Sequence, residues 1–134
     1  MGSKSDYLEN KILDYILGNT SYSPPSTIYF ALYTSSPSDT EDGTEAAGDG
    51  YSRVSKDNNT TTWRTADSGI KTNAVVINFP IVGVGGWGTI VSFGILDAST
   101  GGNLLFWGDL TDPKVTEHGD LFRFQADSVV IQED

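Results

Sequence analysis

Cysteine is missing from all 134 residues. Its absence removes disulfides, thiolate metal sites and cysteine nucleophiles together, and leaves the chain indifferent to the redox state of its surroundings. Long apolar runs are missing as well. None approaches the roughly 18 residues that a membrane span needs, so no membrane partner is expected. The opening Met1-Gly2-Ser3-Lys4-Ser5-Asp6 holds no stretch suited to a signal peptide. It also carries Asp6 where a myristoylation signal requires Ser or Thr, and the expectation is a protein made in a cytoplasm. Positive charge is scarce, with eight Lys and Arg against eighteen Asp and Glu and a net charge of −10. The cations (Lys4, Lys11, Arg53, Lys56, Arg64, Lys71, Lys114 and Arg123) are scattered along the chain. A surface of that sign repels phosphate backbones, so nucleic acid is not an expected partner.

The residues that could carry chemistry are as thin. His118 is the one histidine, and it lies in Thr116-Glu117-His118-Gly119-Asp120, a turn sequence. A nucleophile for it to activate would sit on a sharp turn such as Gly-x-Ser-x-Gly, which does not occur. Carboxylates such as Asp97, Asp109, Asp112, Glu117 and Asp120 mostly fall in turns, where Asp serves local hydrogen bonds. The acidic segment Asp39-Thr40-Glu41-Asp42-Gly43-Thr44-Glu45 has oxygen ligands of the kind Ca²⁺ takes. It breaks the alternating acid pattern of an EF-hand at Gly43, and reads as a solvated loop. Gly83-Val84-Gly85-Gly86-Trp87-Gly88 lacks the Gly-Lys-Ser/Thr of a phosphate loop and opens no helix. The expectation is no enzyme, no catalytic residue, no metal and no cofactor. Aromatics such as Tyr29, Tyr33, Trp63, Trp87, Phe93, Phe106 and Trp107 could make a sugar-binding platform, but read first as core.

What is present is pattern. Leu8, Ile12, Tyr15 and Ile16 recur at helical spacing behind Ser5, a good N-cap, with Asp6 and Glu9 in the first turn. Gly18, Asn19 and Pro24-Pro25 stop the helix, which is placed at about residues 5–17. So short a helix needs something to pack on, either its own β-domain or a neighbouring subunit. Leu8, Ile12 and Ile16 are the candidate interface residues for the second case.

After Pro25 the period changes to that of strands. Residues 27–33 are apolar on both faces and predict a central strand. Strands follow at about 72–79, 89–96, 104–107, 121–125 and 128–131, with a glycine-bearing hairpin loop at 97–103. Residues 35–50 and 55–71 read as long polar loops. The sum is a mainly β chain: one domain over residues 1–134, with a β-core at about 27–132 built as an antiparallel β-sandwich or barrel-like fold behind one N-terminal α-helix.

Several local signatures then share one chain in a fixed order. They are Tyr7-Leu8-Glu9-Asn10 with Leu13-Asp14 and Leu17-Gly18; Tyr29-x-Ala31-Leu32-Tyr33-Thr34 with Pro37; Gly43-Thr44-Glu45 and Gly50-Tyr51-x-Arg53. Phe79-Pro80, Trp87-Gly88-Thr89, and Phe93-Gly94-Ile95-x-Asp97-Ala98-x-Thr100-Gly101-Gly102-Asn103-Leu104-Leu105-Phe106 continue the series to Gly119-Asp120. With them the chain resembles a family of small virion proteins of tailed phages, often labelled tail fibre proteins. The resemblance implies a virion location, no enzymatic step and no catalytic residue. Phage fibres are long trimers of coiled coil or repetitive β-structure, and neither is in this sequence. A globule of this length has a radius of gyration of only about 14 Å. The leading expectation is therefore a capsid decoration (cement) protein bound to the major capsid protein, with a homotrimer possible. The alternative is a tail fibre or baseplate component, or a receptor-binding domain facing host glycans.

Overall fold

The computed structural model describes residues 2–133 and is mainly β with one helix. Strand β1 (Gly2–Lys4) leads into helix α1 (Asp6–Ile16), and the rest of the chain supplies β2 (Thr27–Ser35), β3 (Thr44–Glu45), β4 (Val54–Asp57), β5 (Ile70–Thr72), β6 (Ile77–Ile81), β7 (Thr89–Leu96), β8 (Leu104–Val115), β9 (Leu121–Phe124) and β10 (Val130–Gln132). One large sheet runs β3-β2-β7-β8-β1-β10-β5, with β4 also paired to β2. A second sheet holds β6 and β9 alone. Both are open, so the fold is sandwich-like, and the barrel-like alternative does not apply.

The centre of the large sheet is where sequence pattern and structure agree best. In β2, Ile28, Phe30 and Leu32 point into the main core, and Ala31 and Tyr33 on the opposite face join Leu96 and Leu104 in a second, smaller cluster. A strand apolar on both faces is buried on both, as the sequence requires. β7 pairs with β2 on one side and β8 on the other, Tyr33 meeting Ser92 and Ile95 meeting Phe106. Gly94 is needed there: a Cβ would lie 2.7 Å from the Tyr33 ring and 2.9 Å from Leu104. The β6–β9 pair covers one part of the main core, bringing Phe79, Phe122 and Phe124 onto Phe93 through edge-on rings.

Four expectations need correction. The expected strand at 72–79 is two strands separated by residues 73–76, of which Asn73 is fully buried. Its Nδ2 donates to the carbonyls of Val75 (2.8 Å) and Gln125 (3.0 Å), and its Oδ1 accepts from the Val129 amide (2.9 Å). A side chain tying three backbone groups replaces the ladder at that point, and β6 then runs through Pro80 with an irregular register. The strand expected to stop at residue 107 continues as β8 to Val115, skipping register between Ile90 and Ser92. Residues 110–113, which include Pro113, take up that irregularity, so a proline is tolerated. Segments 35–50 and 55–71 contain β3, β4 and the start of β5, strands too short and polar to show a period. Finally, β1 had no sequence signal. It inserts between β8 and β10, and its Gly2 leaves room for Ile131 and the Trp107 carbonyl.

Candidate interface

Helix α1 is held at its first turn. The Ser5 hydroxyl accepts the Leu8 amide at 3.2 Å and donates to the Leu104 carbonyl at 2.5 Å, while the Ser5 amide donates to Leu105. The cap thus fixes the helix to β8 as well as closing its own first turn. Beyond that turn the grip loosens. Leu8 is 5 % exposed and belongs to the main core; Ile12 packs against it half-buried; Ile16 is 66 % exposed. Leu13, Tyr15 and Leu17 are exposed with it. The three residues singled out from spacing therefore divide: Leu8 is a core residue, and Ile12 and Ile16 border open surface.

Between α1 and the large sheet lies an apolar groove of about 480 Å³. Ile12, Tyr15 and Ile16 form its helical wall, Leu105, Phe106 and Ile131 its sheet wall, and Tyr22, Pro24 and Pro25 the rim beyond the helix. Trp63, reached through a turn at residues 58–63, closes the floor against Phe30 at a ring separation of 6.0 Å. Among the described residues, Lys71 is the one charged side chain in the lining. Burial raises the pKa of Tyr22 above its ordinary value, with the neighbouring Tyr7 and Asp97 adding to the shift.

Some of the residues that carried the family resemblance, Glu45, Tyr51, Arg53 and Asp97 among them, meet at a different place, at the β2–β3 edge. Arg53 makes a two-pronged pair with Glu45, Nε to Oε2 at 2.9 Å and Nη2 to Oε1 at 2.8 Å. Its remaining nitrogen donates to the carbonyls of Ala98 and Gly101 in the β7–β8 loop. Tyr51 donates to Glu45 at 2.7 Å and accepts the Leu32 amide. The hydrogen bond from Arg53 to Glu45 raises the arginine pKa, and desolvation of the Tyr51 phenol raises that group's. Asp97 closes the same loop by accepting the backbone and side-chain N–H groups of Asn103. Each guanidinium nitrogen of Arg53 is bonded within the protein, and the constellation is a clamp between the sheet edge and the hairpin loop. The acids of segment 39–45 are likewise engaged rather than merely solvated: Asp39 accepts the Trp107 indole N–H at 2.7 Å, Glu41 accepts the Leu104 amide, and Ser38 donates to Asp42. The sequence signal that could have found the clamp was the single Arg53 lying close behind an acidic segment.

The remaining candidates are placed as follows. His118 lies exposed in the turn before β9. The glycine run at 83–88 is a hydrogen-bonded turn, with the buried Trp87 donating its indole N–H to the Asp49 carbonyl and its amide to the Thr116 hydroxyl. Trp63, Trp87, Phe93 and Tyr33 are buried core, while Tyr29, Phe106 and Trp107 are partly buried. Asp6, Glu9 and Asp39 bring three carboxylates together at the start of α1, a grouping that sequence spacing did not suggest. No helix among the described residues is long and apolar enough to cross a membrane.

Comparison with known proteins adds one match. The family model described as Podophage GP4 fiber I protein gp80 matches residues 3–132. No curated protein matches the chain.

Proposed function

The chain belongs to the family of the Podophage GP4 fiber I protein gp80, a fibre-type family of virion structural proteins, and from that premise we propose that it is a non-catalytic subunit of the phage tail-fibre apparatus. The observation that carries this reading is the extent of the match, which takes in almost every strand as well as α1. The family description favours a fibre position over the capsid-decoration position that size and the lack of coiled coil or repetitive β-structure suggested. Lack of coiled coil does not oppose it, because a small β-domain can join a fibre as one unit among others. Its partners are other virion proteins, reached through the open side of α1. The groove there is lined almost wholly by carbon, which suits a protein side-chain cluster better than a glycan.

The copy number per purified virion, measured by quantitative mass spectrometry against the major capsid protein, tests the position. A fibre subunit gives a few to a few dozen copies. A count comparable with the capsid protein would return the protein to the shell as a decoration protein.

A further inference from the structure

The groove beside α1 changes character from one end to the other. Its sheet wall crosses the strands in the order β7-β8-β1-β10-β5, from Ile95 on β7 and Phe106 on β8 to Ile131 on β10. It ends on Lys71, the register partner of Ile131, which stands on the edge strand β5. Four strand spacings of about 4.8 Å make this wall roughly 19 Å long. Its polar side chains are few. The Asn58 amide donates to the Pro25 carbonyl at 2.9 Å, and Tyr15 and Tyr22 add two phenols. Lys71 donates to the Arg64 carbonyl at 2.8 Å, which leaves its ammonium two further N–H groups. Among the described residues no Asp or Glu lines the groove, although the chain carries a net charge of −10. An anion is repelled by such a surface as a whole, and has its favourable place where a cation ends an apolar groove.

We propose that the groove binds a single-chain anionic amphiphile, a fatty-acid carboxylate, with its alkyl chain along the sheet wall and its head at Lys71. Volume points to the same class. About 480 Å³ is the size of a small-ligand pocket, and at roughly 30 Å³ per water-sized group it holds on the order of 16 chain atoms. A protein helix is about 10–12 Å across with its side chains, so a single turn of about 5.4 Å already takes as much room. At the edge strand the head group keeps its contact with water, which avoids the cost of burying a carboxylate. The chain meets Ile12 and Ile16 on the helical side and Trp63 at the floor. The virion partner of the fibre reading uses the same carbon surface, so amphiphile and partner exclude one another. The site itself is a property of the isolated chain.

Isothermal titration calorimetry of the purified full chain with octanoate, nonanoate and decanoate, each below its micelle concentration, reads the site directly. One-to-one binding is expected, tightening about fourfold for each added methylene. Lys71→Met keeps an apolar stem and removes the charge. It should weaken decanoate about two- to fivefold and leave decanol unchanged. Ile16→Asp, at an exposed position, should weaken both ligands by about tenfold. Both variants are first checked for native circular dichroism. A wild-type chain with no saturable binding overturns the inference, as does an affinity that stays flat along the series. Equal losses of decanoate and decanol in Lys71→Met also overturn it, because the head group then lies elsewhere. So does binding to phosphatidylglycerol vesicles without binding to monomeric decanoate, which would make the ligand a membrane surface. None of these results bears on the virion copy number, so the fibre reading stands or falls separately.

Discussion

One face of the large sheet carries two covers of unequal quality. Over one part lies the β6–β9 pair, fastened by its own ladder and by four phenylalanine rings whose centroids are 5.4–6.1 Å apart. Over the other lies α1, which buries Leu8 and leaves a groove beside Ile12 and Ile16. The difference lies in how each cover is anchored. A strand pair with Ile77, Phe79, Phe122 and Phe124 inward fills the space down its length, whereas a helix fixed at one capped end leaves its later turns exposed. The sealed part holds the fold together, and the unsealed part leaves apolar surface exposed.

The comparison breaks if the sealed part proves dispensable. Phe124→Ala removes the ring common to three of those contacts and is expected to cost about 3–5 kcal/mol in chemical denaturation. Asn73→Ala should follow at about 2–3 kcal/mol, since it strands the Val129 amide and two carbonyls in the interior, and Asn73→Asp should not restore the loss. Leu8→Ala, under the root of α1, belongs in the same range at about 2–4 kcal/mol, detectable as a lowered denaturation midpoint. Ile16→Lys sharpens the contrast from the other side. Within the same helix it should change stability by no more than about 0.5 kcal/mol, read as an almost unchanged denaturation midpoint. A large loss of stability on that change would show that the outer turns of α1 are core after all.

The smallest expected effects come from titration. Hydrogen bonds from Arg64 and Thr72 lower the Asp127 pKa below 3.8, its ordinary value. A lowered carboxylate contributes stability above its unfolded pKa and loses it as pH falls through the folded one. The wild-type midpoint should therefore decline below about pH 3.8, and Asp127→Asn should remove part of that decline. At the alkaline end burial pushes Tyr33 up to about 12 from 10.0. Its raised pKa favours folding below pH 10 and loses that preference as pH rises toward 12, so unfolding should steepen over this interval, measured by near-ultraviolet circular dichroism. Tyr33→Phe should blunt the change.

Much of this molecule follows from its residues in order. The Ser5 cap and the 8-12-16 stripe determined α1, and two-sided apolarity determined β2, because a central strand has no polar face to show. The turn at 97–103 was equally legible from its glycines and Asp97. Strands β1, β3 and β5 were hidden because two- or three-residue strands have no period to read, and their pairing is granted by neighbours far along the chain. The break at Asn73 was hidden for a related reason, since a buried asparagine looks like a loop residue until Gln125 and Val129 stand beside it. Composition and pattern by themselves determined an acidic β-protein without a visible site for catalysis. Only the tertiary structure decided which part of the helical stripe is core: Leu8, Ile12 and Ile16 are equivalent in period, but only the first turn is tied to β8 through Ser5, and it buries Leu8 while Ile16 stays exposed.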